Sequence, residues 1–591
     1  MLPILVLCYR MPINGWKALL RRRPDMDSLV ATGVTASLAY SVVSLIRGSG
    51  AYYFEAAGMI LCLISLGKHI EARAKRRTAA AVEKIINLAV PEATVIRDGK
   101  EIRLPAEEIV LGDLVVVAEG ERCAVDGTVT EGGGTFDESA VTGESIPADK
   151  LLGDSIISGS VNMAGRVTVC AERVGESTTV NRIIKLMEHA AAAKAPIARI
   201  ADKVSSIFVP AVMGLALFTA AIWLILGNGE AAFLHGVSVL VISCPCALGL
   251  ATPSAITVGL GCAAERGILF KDAAALECAG KTEVLALDKT GTLTKGNPSV
   301  TDTVGNIKDT AYTIESLSPH PVAKAVCKAY SGAKKLEAKD FKSYAGKGVS
   351  ALVEGKLVFA GNRRFMSEQG ISLGIYESDA NRFEAQGKTL LIFASNGECL
   401  GLAAVADSLR EDTVSTIEKL KDWGIKTVML TGDNKNAAAH TAEIAGIDEY
   451  HGNMLPQDKV AYIEKAREEG KICAMVGDGV NDAPALATAA LGISVMDSSD
   501  IAADASDVVL METGIYRVAE SVRIGRKTLR VIKQNLFWAL IYNVVLIPVA
   551  AGAFVALGIS ITPSISAAAM SLSSLTVVSN ALRLKLILKD K

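Results

Sequence analysis

No Cys-x-x-Cys pair occurs in the 591 residues, and apart from Cys244 and Cys246 the 11 cysteines stand singly. That excludes a disulfide framework and a Cys-x-x-Cys metal-binding module. A Gly-x-x-x-x-Gly-Lys-Ser/Thr loop is also missing, so P-loop phosphate chemistry is not expected. Neither charge is in surplus: 61 Lys and Arg stand against 63 Asp and Glu, a formal net charge of -2 that gives no basis for a nucleic-acid partner. The apolar start, Met1 to Tyr9, has no Ala-x-Ala-like cleavage site behind it and reads as a short membrane helix, not a cleaved signal.

What is present points to a divided chain. Half of the residues are hydrophobic, high for a soluble protein, while 21% are charged, too many for a chain wholly in lipid. Together they imply membrane spans alternating with large soluble domains. Spans are expected at about 2 to 15, 27 to 46, 53 to 70, 204 to 227, 232 to 262, 537 to 557 and 561 to 582. The first is expected to break near Pro12 and Gly15, followed by an amphipathic interfacial piece, Trp16 to Arg23. Basic clusters at Arg21-Arg22-Arg23 and from Lys68 to Arg77 fix those ends in the cytoplasm.

Ser243-Cys244-Pro245-Cys246-Ala247 lies inside a run, Ala231 to Ala264, with no acidic or basic residue other than His235. As a helix at about 1.5 Å per residue the run spans a bilayer, which puts two thiols and a helix-breaking proline in hydrocarbon. Proline frees carbonyls and turns neighbouring side chains toward one point, as a ligand site requires. These residues alone equally describe two small buried hydrophobes beside a kink. In the last two spans, Asn543 is costly in lipid unless paired or used, and Met570 and Ser574 share a helix face.

From about 85 to 185, short Val/Ile/Thr-rich runs cut by glycines predict a β-rich domain, with Phe136 to Ser145 as an acidic loop. From about 265 to 528 comes the largest soluble section. Three apolar strands in it each feed a Gly/Asp loop: Val284 to Leu287 into Asp288, Thr427 to Leu430 into Thr431-Gly432-Asp433, and Ala474 to Val476 into Gly477-Asp478-Gly479-Val480-Asn481-Asp482. Edges of one parallel sheet would bring Asp288, Thr431, Asp478 and Asp482 to a point suited to a phosphoryl group and Mg²⁺. Ordinary strand-to-helix turns are the alternative. Between the first two edges, about 298 to 400, an inserted region carries Glu315, Gly346-Lys347-Gly348, Gly361-Asn362 and His320 between two prolines, either a recognition residue or an inert loop residue.

Asp288-Lys289-Thr290-Gly291-Thr292, Thr142-Gly143-Glu144-Ser145 and Gly477 to Asp482, in their places along the chain, resemble the motifs of the P-type ATPases, heavy-metal (P1B) class, and most closely its bacterial Cu(I) exporters. The resemblance implies a helical transmembrane bundle, a β-rich actuator domain, and a HAD-like α/β phosphorylation domain with an inserted α/β nucleotide-binding domain. It divides the chain at 1–84 (first helices), 85–198 (actuator), 199–264 (membrane helices), 265–297 and 401–528 (phosphorylation domain), 298–400 (nucleotide-binding domain) and 529–591 (last helices). It implies Asp288 as nucleophile toward ATP, with Thr290, Thr431 and Lys459 near the phosphoryl oxygens and Mg²⁺ on Asp288 and Asp478 beside Asp482. Glu144, with Thr142 and Gly143, would direct water onto the aspartyl phosphate. Glu315, His320, Gly346, Gly348 and Asn362 match nucleotide-contact positions, and Asp433 is assigned to ATP as well. Pro319 stands where the family usually has Glu, with a small expected effect on that loop.

The resemblance also implies the cargo site: Cys244, Cys246, Tyr542, Asn543, Met570 and Ser574 match the Cu(I) or Ag(I) pattern. Two thiolates and a thioether make a soft site. Zinc members carry Lys and Asp in the last helices, and neither is found there. Met26, Glu71 and Asp202 match cytoplasmic intake positions, and Glu55 an exit-side carboxylate. Family members usually have further amino-terminal helices and Cys-x-x-Cys domains, so a truncated or reduced amino terminus is expected, with Pro12 and Gly15 replacing the family's Gly-Gly kink. The implied setting is the bacterial inner or plasma membrane with cytoplasmic soluble domains, a monomer in a lipid bilayer, supplied by a copper chaperone or thiol carrier. Two alternatives remain at this point: a Zn(II)/Co(II)-type pump, and a membrane-tethered Asp-based phosphatase without transport.

Overall fold

The computed structural model describes residues 2–21, 24–47, 52–86, 90–142, 147–192, 195–243, 246–344, 347–433, 435–495, 500–511 and 514–589. They form two compact units, Met1–Gly280 with Ser521–Lys591, and Lys281–Glu520.

Five helical stretches among the described residues are long and apolar enough to cross a membrane, and all belong to the first unit apart from the opening residues of the fourth: Asp27–Arg47, Ser206–Ile225, Gly229–Ala264, Tyr516–Ala550 and Pro563–Lys589. Gly229–Ala264 is not one rod but two helices, Gly229–Ile242 and Cys246–Ala264. The expected span at 53 to 70 is the start of a longer helix, Phe54–Ile86, whose Ala57, Ile60, Leu61 and Ile64 pack against Val30, Val34, Val237 and Val241.

The amino-terminal expectation holds in part. The helix is interrupted at Tyr9, between Leu2–Cys8 and Arg10–Leu20, one turn before Pro12, and it runs on through Gly15. Tyr9 keeps helical dihedrals, and the bond that is lost is the one Pro12 cannot donate to the Cys8 carbonyl. Gly15 is a packing contact: a Cβ there would lie 2.1 Å from the carbonyl oxygen of Asp27, and Ser28 Oγ donates to the Gly15 carbonyl at 3.0 Å.

The soluble part of this unit is built on a largely antiparallel sheet in the order Lys100–Pro105, Glu92–Arg97, Leu114–Val117, Val161–Arg173, Asp126–Asp137, Ala148–Lys150. Alternate residues turn inward, and Val95, Val115, Val117, Phe136, Val167 and Val169 form its core.

The second unit holds two sheets. One carries adjacent strands in the order Glu449–His451, Lys426–Leu430, Val284–Asp288, Cys473–Gly477, Leu491–Val495, Val508–Leu510. The pairings within that series are parallel, and Val284–Asp288 and Cys473–Gly477 are buried at every position, as strands covered on both faces must be. The other is a six-stranded antiparallel sheet in the order Thr294–Gly305, Glu398–Leu409, Thr389–Ser395, Lys356–Gly361, Gly348–Val353, Ala338–Tyr344. Separate apolar clusters, one around Ile314, Val326 and Phe393 and one around Phe365, Phe383 and Ile392, fill its faces.

Candidate functional site

The parallel sheet puts three strand ends side by side. Leu430 pairs with Asp288 and Val476 with Leu287, so the loops after Asp288, Leu430 and Gly477 leave one edge together. One carboxylate oxygen from each of Asp288, Asp478 and Asp482 lies within 4.8 Å of the others. Lys459, from helix Pro456–Glu468, enters this group with Nζ 2.5 Å from Asp288 Oδ1 and 2.7 Å from Asp482 Oδ1. All three members of this ion cluster, Asp288, Asp482 and Lys459, are buried.

Burial, and then the neighbouring Asp482, push the Asp288 carboxyl up to about 7 against the opposing pull of Lys459. The same two causes raise Asp478. Burial pulls the Lys459 ammonium down, but Asp288 and Asp482 outweigh it and raise its pKa. The cluster is therefore short of positive charge. Oxygen-only donors at this spacing fit a hard divalent cation such as Mg²⁺, with Asp288, Asp478 and Asp482 as the residues to hold it.

The backbone is shaped to this purpose. Gly291 has φ +73, and a Cβ there would sit 1.6 Å from Asp478 Oδ2. Thr290, beside it, is exposed, facing away from the core. Thr431 is buried, and its Oγ1 accepts from Asp433 N at 3.2 Å. Asp433 pairs with Lys289, so it stands with the carboxylate cluster's loops and not on the antiparallel sheet.

Three supporting residues have no role in the reading of the sequence above. Arg410 donates to the carbonyls of Gly291 at 2.8 Å and Thr292 at 3.2 Å. Asp407 Oδ2 accepts from Thr294 Oγ1 at 2.5 Å and Gly296 N at 3.1 Å. Lys289 is the third. Asp407 lies near the end of strand Glu398–Leu409 and Arg410 just past it, behind the apolar run Leu402 to Ala406, a signal of the kind already used for the other loops.

On the antiparallel sheet, Gly348 pairs with Gly361, and a Cβ on Gly348 would lie 2.6 Å from the Cα of Gly361. Asn362 follows and caps helix Arg363–Glu368 by accepting from Phe365 N at 2.9 Å. His320 caps helix Pro321–Ala329, its Nδ1 accepting from Val322 N at 3.2 Å, which leaves Nε2 to carry the proton of the neutral ring. Glu315 ends helix Lys308–Glu315, and burial pushes its carboxyl up to about 7.

In the membrane helices Asn543 is 2% exposed, and among the described residues neither its Oδ1 nor its Nδ2 has a hydrogen-bond partner. Met570 is buried in one cluster with Val239, Ile242 and Ala550, against which Tyr542 packs; Ser574 is also buried. Asn535 and Asn580 behave differently from Asn543: Asn580 Nδ2 donates to Asn535 Oδ1 at 2.8 Å, and Asn535 Nδ2 to the Ala251 carbonyl at 3.0 Å. Glu55 is exposed in the first turn of its helix. Cys244, Gly143, Glu144 and Gly346, and the side chains of Cys246, Thr142, Met26, Glu71 and Asp202, lie outside the described residues.

Residues 282–490 match the haloacid dehalogenase-like hydrolase family, and residues 87–188 the P-type ATPase actuator domain. The chain is 41% identical over 595 aligned residues to a copper-exporting P-type ATPase of Staphylococcus aureus (strain USA300), covering 98% of this chain and 73% of that relative. The counterpart in strain Newman matches equally, at 41% identity. Among solved structures, a zinc-transporting PIB-type ATPase in its E2.Pi state aligns with TM-score 0.64 and 31% identity over 98% of this chain and 94% of that one. A second structure of a zinc-transporting PIB-type ATPase, in a different state, aligns with TM-score 0.59 and 31% identity over the same shares of the two chains.

Proposed function

The chain belongs to the P-type ATPase family, in its heavy-metal (PIB) class, and on that premise we propose that it exports Cu(I), with Ag(I) as a chemically equivalent cargo, from the cytoplasm. It is a multi-pass membrane enzyme that couples ATP hydrolysis to ion movement.

The observation that carries the cargo assignment is Asn543, buried with an amide that no described residue partners and next in sequence to Tyr542, which packs on the cluster of Met570. A buried amide without partners is costly unless something else engages it. Phe537 to Leu557 and Ile561 to Leu582 contain no acidic or basic residue, so the donors there are neutral or soft. Cys244, Cys246 and Met570 supply sulfur and Tyr542, Asn543 and Ser574 neutral oxygen or nitrogen, a set suited to a monovalent d¹⁰ ion and poorly suited to Zn(II). The zinc-transporting structural relative favours the second reading, a Zn(II) pump.

For the chemical step, a carboxylate oxygen of Asp288 attacks the γ-phosphorus of ATP while the bond to the β,γ-bridging oxygen breaks, giving ADP and an aspartyl phosphate. Lys459 holds Asp288 oriented and offsets charge on the attacked phosphoryl group, while Thr290 and Thr431 offer hydroxyls near it. Asp288, Asp478 and Asp482 would hold Mg²⁺, which when bound would supply charge neutralisation for the phosphoryl oxygens. Arg410 and Asp407 fix the loop that bears the nucleophile. Glu315, His320, Gly346, Gly348 and Asn362 receive the nucleotide, and Asp433 serves the phosphate end. Glu144, with Thr142 and Gly143, directs water onto the aspartyl phosphate. Met26, Glu71 and Asp202 form the intake, Glu55 the exit, and a thiol carrier delivers the ion.

Phosphoenzyme formation from labelled ATP, with Cu(I), Ag(I), Zn(II) and Co(II) offered in turn, tests the reading. Acid-stable label stimulated by Cu(I) and absent in Asp288→Asn is expected. Stimulation by Zn(II) alone would overturn the cargo.

A further inference from the structure

We propose that His235 is a second station for the transported soft cation, in the outward half of the membrane, where imidazole Nε2 takes the ion after it leaves the Cys244 and Cys246 region. The proposal rests on the transport reading above.

His235 is the only side chain between Ala231 and Ala264 able to take a positive charge, and it is 3% exposed. Its Nδ1 lies 2.8 Å from the carbonyl oxygen of Ala550. A carbonyl only accepts, so Nδ1 carries the proton and donates it, and the neutral ring has its lone pair on Nε2. No hydrogen bond from the described residues reaches Nε2. The ring is held flat against Trp223, with centroids 4.8 Å apart and planes at 22°. Trp223 is held in turn by donating Nε1 to the Ala551 carbonyl at 3.0 Å. Gly552 leaves the room for it, since a Cβ there would lie 2.6 Å from the indole ring.

Both the tautomer and the ring plane are thus set from the Ala550–Gly552 turn, while the coordinating nitrogen stays uncommitted. Metal-ligating imidazoles are prepared in this way, with one N–H fixed by a carbonyl and the other nitrogen presented.

The position suits a station on the exit side. Helix Gly229–Ile242 starts just after helix Pro196–Ile225 has left the cytoplasmic side, so its Gly229 end faces outward. His235 lies seven positions, about 10 Å at helical rise, before Ile242, where its helix ends ahead of Cys244. Ala550, whose carbonyl holds His235, packs in the same cluster as Met570. Ser566, four residues outward from Met570 on the same helix face, is fully buried with its hydroxyl unpartnered. One imidazole nitrogen holds a d¹⁰ ion less firmly than two thiolates and a thioether, so the order of ligands runs from tight to loose in the direction of export. The transfer is a ligand exchange: the cation leaves sulfur and is bound by the Nε2 lone pair, and no proton is displaced.

The test uses the full-length protein in lipid nanodiscs and Ag(I), which needs no reductant. In a Cys244→Ser/Cys246→Ser background, Trp223 fluorescence is isolated as the difference from the same protein carrying Trp223→Phe. A saturable change of at least twofold in that signal is expected, and it should vanish in His235→Asn, which can still donate to the Ala550 carbonyl but lacks Nε2. His235→Phe, which keeps the stacking, should be equally silent. A response that persists in both variants overturns the proposal, as does a silent Trp223 in protein whose intact Cys244 and Cys246 bind Ag(I). Failure of Ag(I) to bind at either place would instead overturn the cargo reading along with it.

Discussion

Gly291 and Asp478 share a space that only glycine leaves open: a Cβ on Gly291 would stand 1.6 Å from Asp478 Oδ2. The loop bearing Asp288 and the loop bearing Asp478 are therefore fitted to each other across 187 residues of sequence, and φ +73 at Gly291 penalises any other residue as well. Gly291→Ala should reduce phosphoenzyme formation from ATP by at least about 100-fold, the scale of misplacing a catalytic group by about 1 Å. Nucleotide binding to the intact antiparallel sheet should persist, measured by fluorescent nucleotide titration. Near-normal phosphorylation would show that the two loops can part without cost.

Lys459 offsets two buried carboxylates at once. Lys459→Met should destabilise the second unit by about 3 kcal/mol, the usual cost of leaving a buried charge uncompensated. Added Mg²⁺ should recover much of that loss, because it supplies the missing charge to the same oxygens. Thermal unfolding with and without Mg²⁺ is the measurement, and an Mg²⁺-independent midpoint in the variant would count against a cation at Asp288, Asp478 and Asp482.

Glu315 predicts a pH signature. Burial raises its folded pKa from 4.5 to about 7, so the folded state binds the proton more tightly than the unfolded one. The associated stability is fully present below 4.5 and is lost as pH rises through about 7. Glu315→Gln should therefore be nearly neutral at acid pH and stabilise the protein by roughly 1–3 kcal/mol above neutrality. Thermal unfolding scans of both proteins across this range would reveal a constant difference if the carboxyl is not buried in solution.

Asn543 and Asn535 lie on one helix and should respond oppositely. Asn535→Ala removes donors and acceptors used by Ala251 and Asn580 and should cost roughly 1–2 kcal/mol. Asn543→Leu removes an amide without partners and should be neutral or stabilising, while metal-stimulated ATPase activity falls steeply. Loss of both stability and activity at Asn543 would mean that the amide is structural.

Much of this architecture was legible because it is written locally. Apolar runs ending in Asp288, Thr431 and Asp478 announce strands and their loops, and the hydropathy of 27 to 46 announces a span, since each depends on neighbours within one element. At the amino terminus the same local reading is half met: Pro12 interrupts the helix one turn upstream, whereas Gly15 is no breaker and answers to Asp27 on another helix.

The sequence by itself determined the order of elements, the strand-to-loop junctions at Asp288, Thr431 and Asp478 and the lack of charge in the last two spans, because those follow from residue type and short-range period. Only the tertiary structure decided which groups pair. Lys459 reaches Asp288 over 171 residues, Arg410 holds the Gly291 carbonyl over 119, and the Ala550 carbonyl sets the tautomer of His235 over 315. Charge compensation, steric fit and tautomer are properties of atoms a few ångströms apart in space, and hydropathy and spacing report only the average surroundings of each residue along the chain.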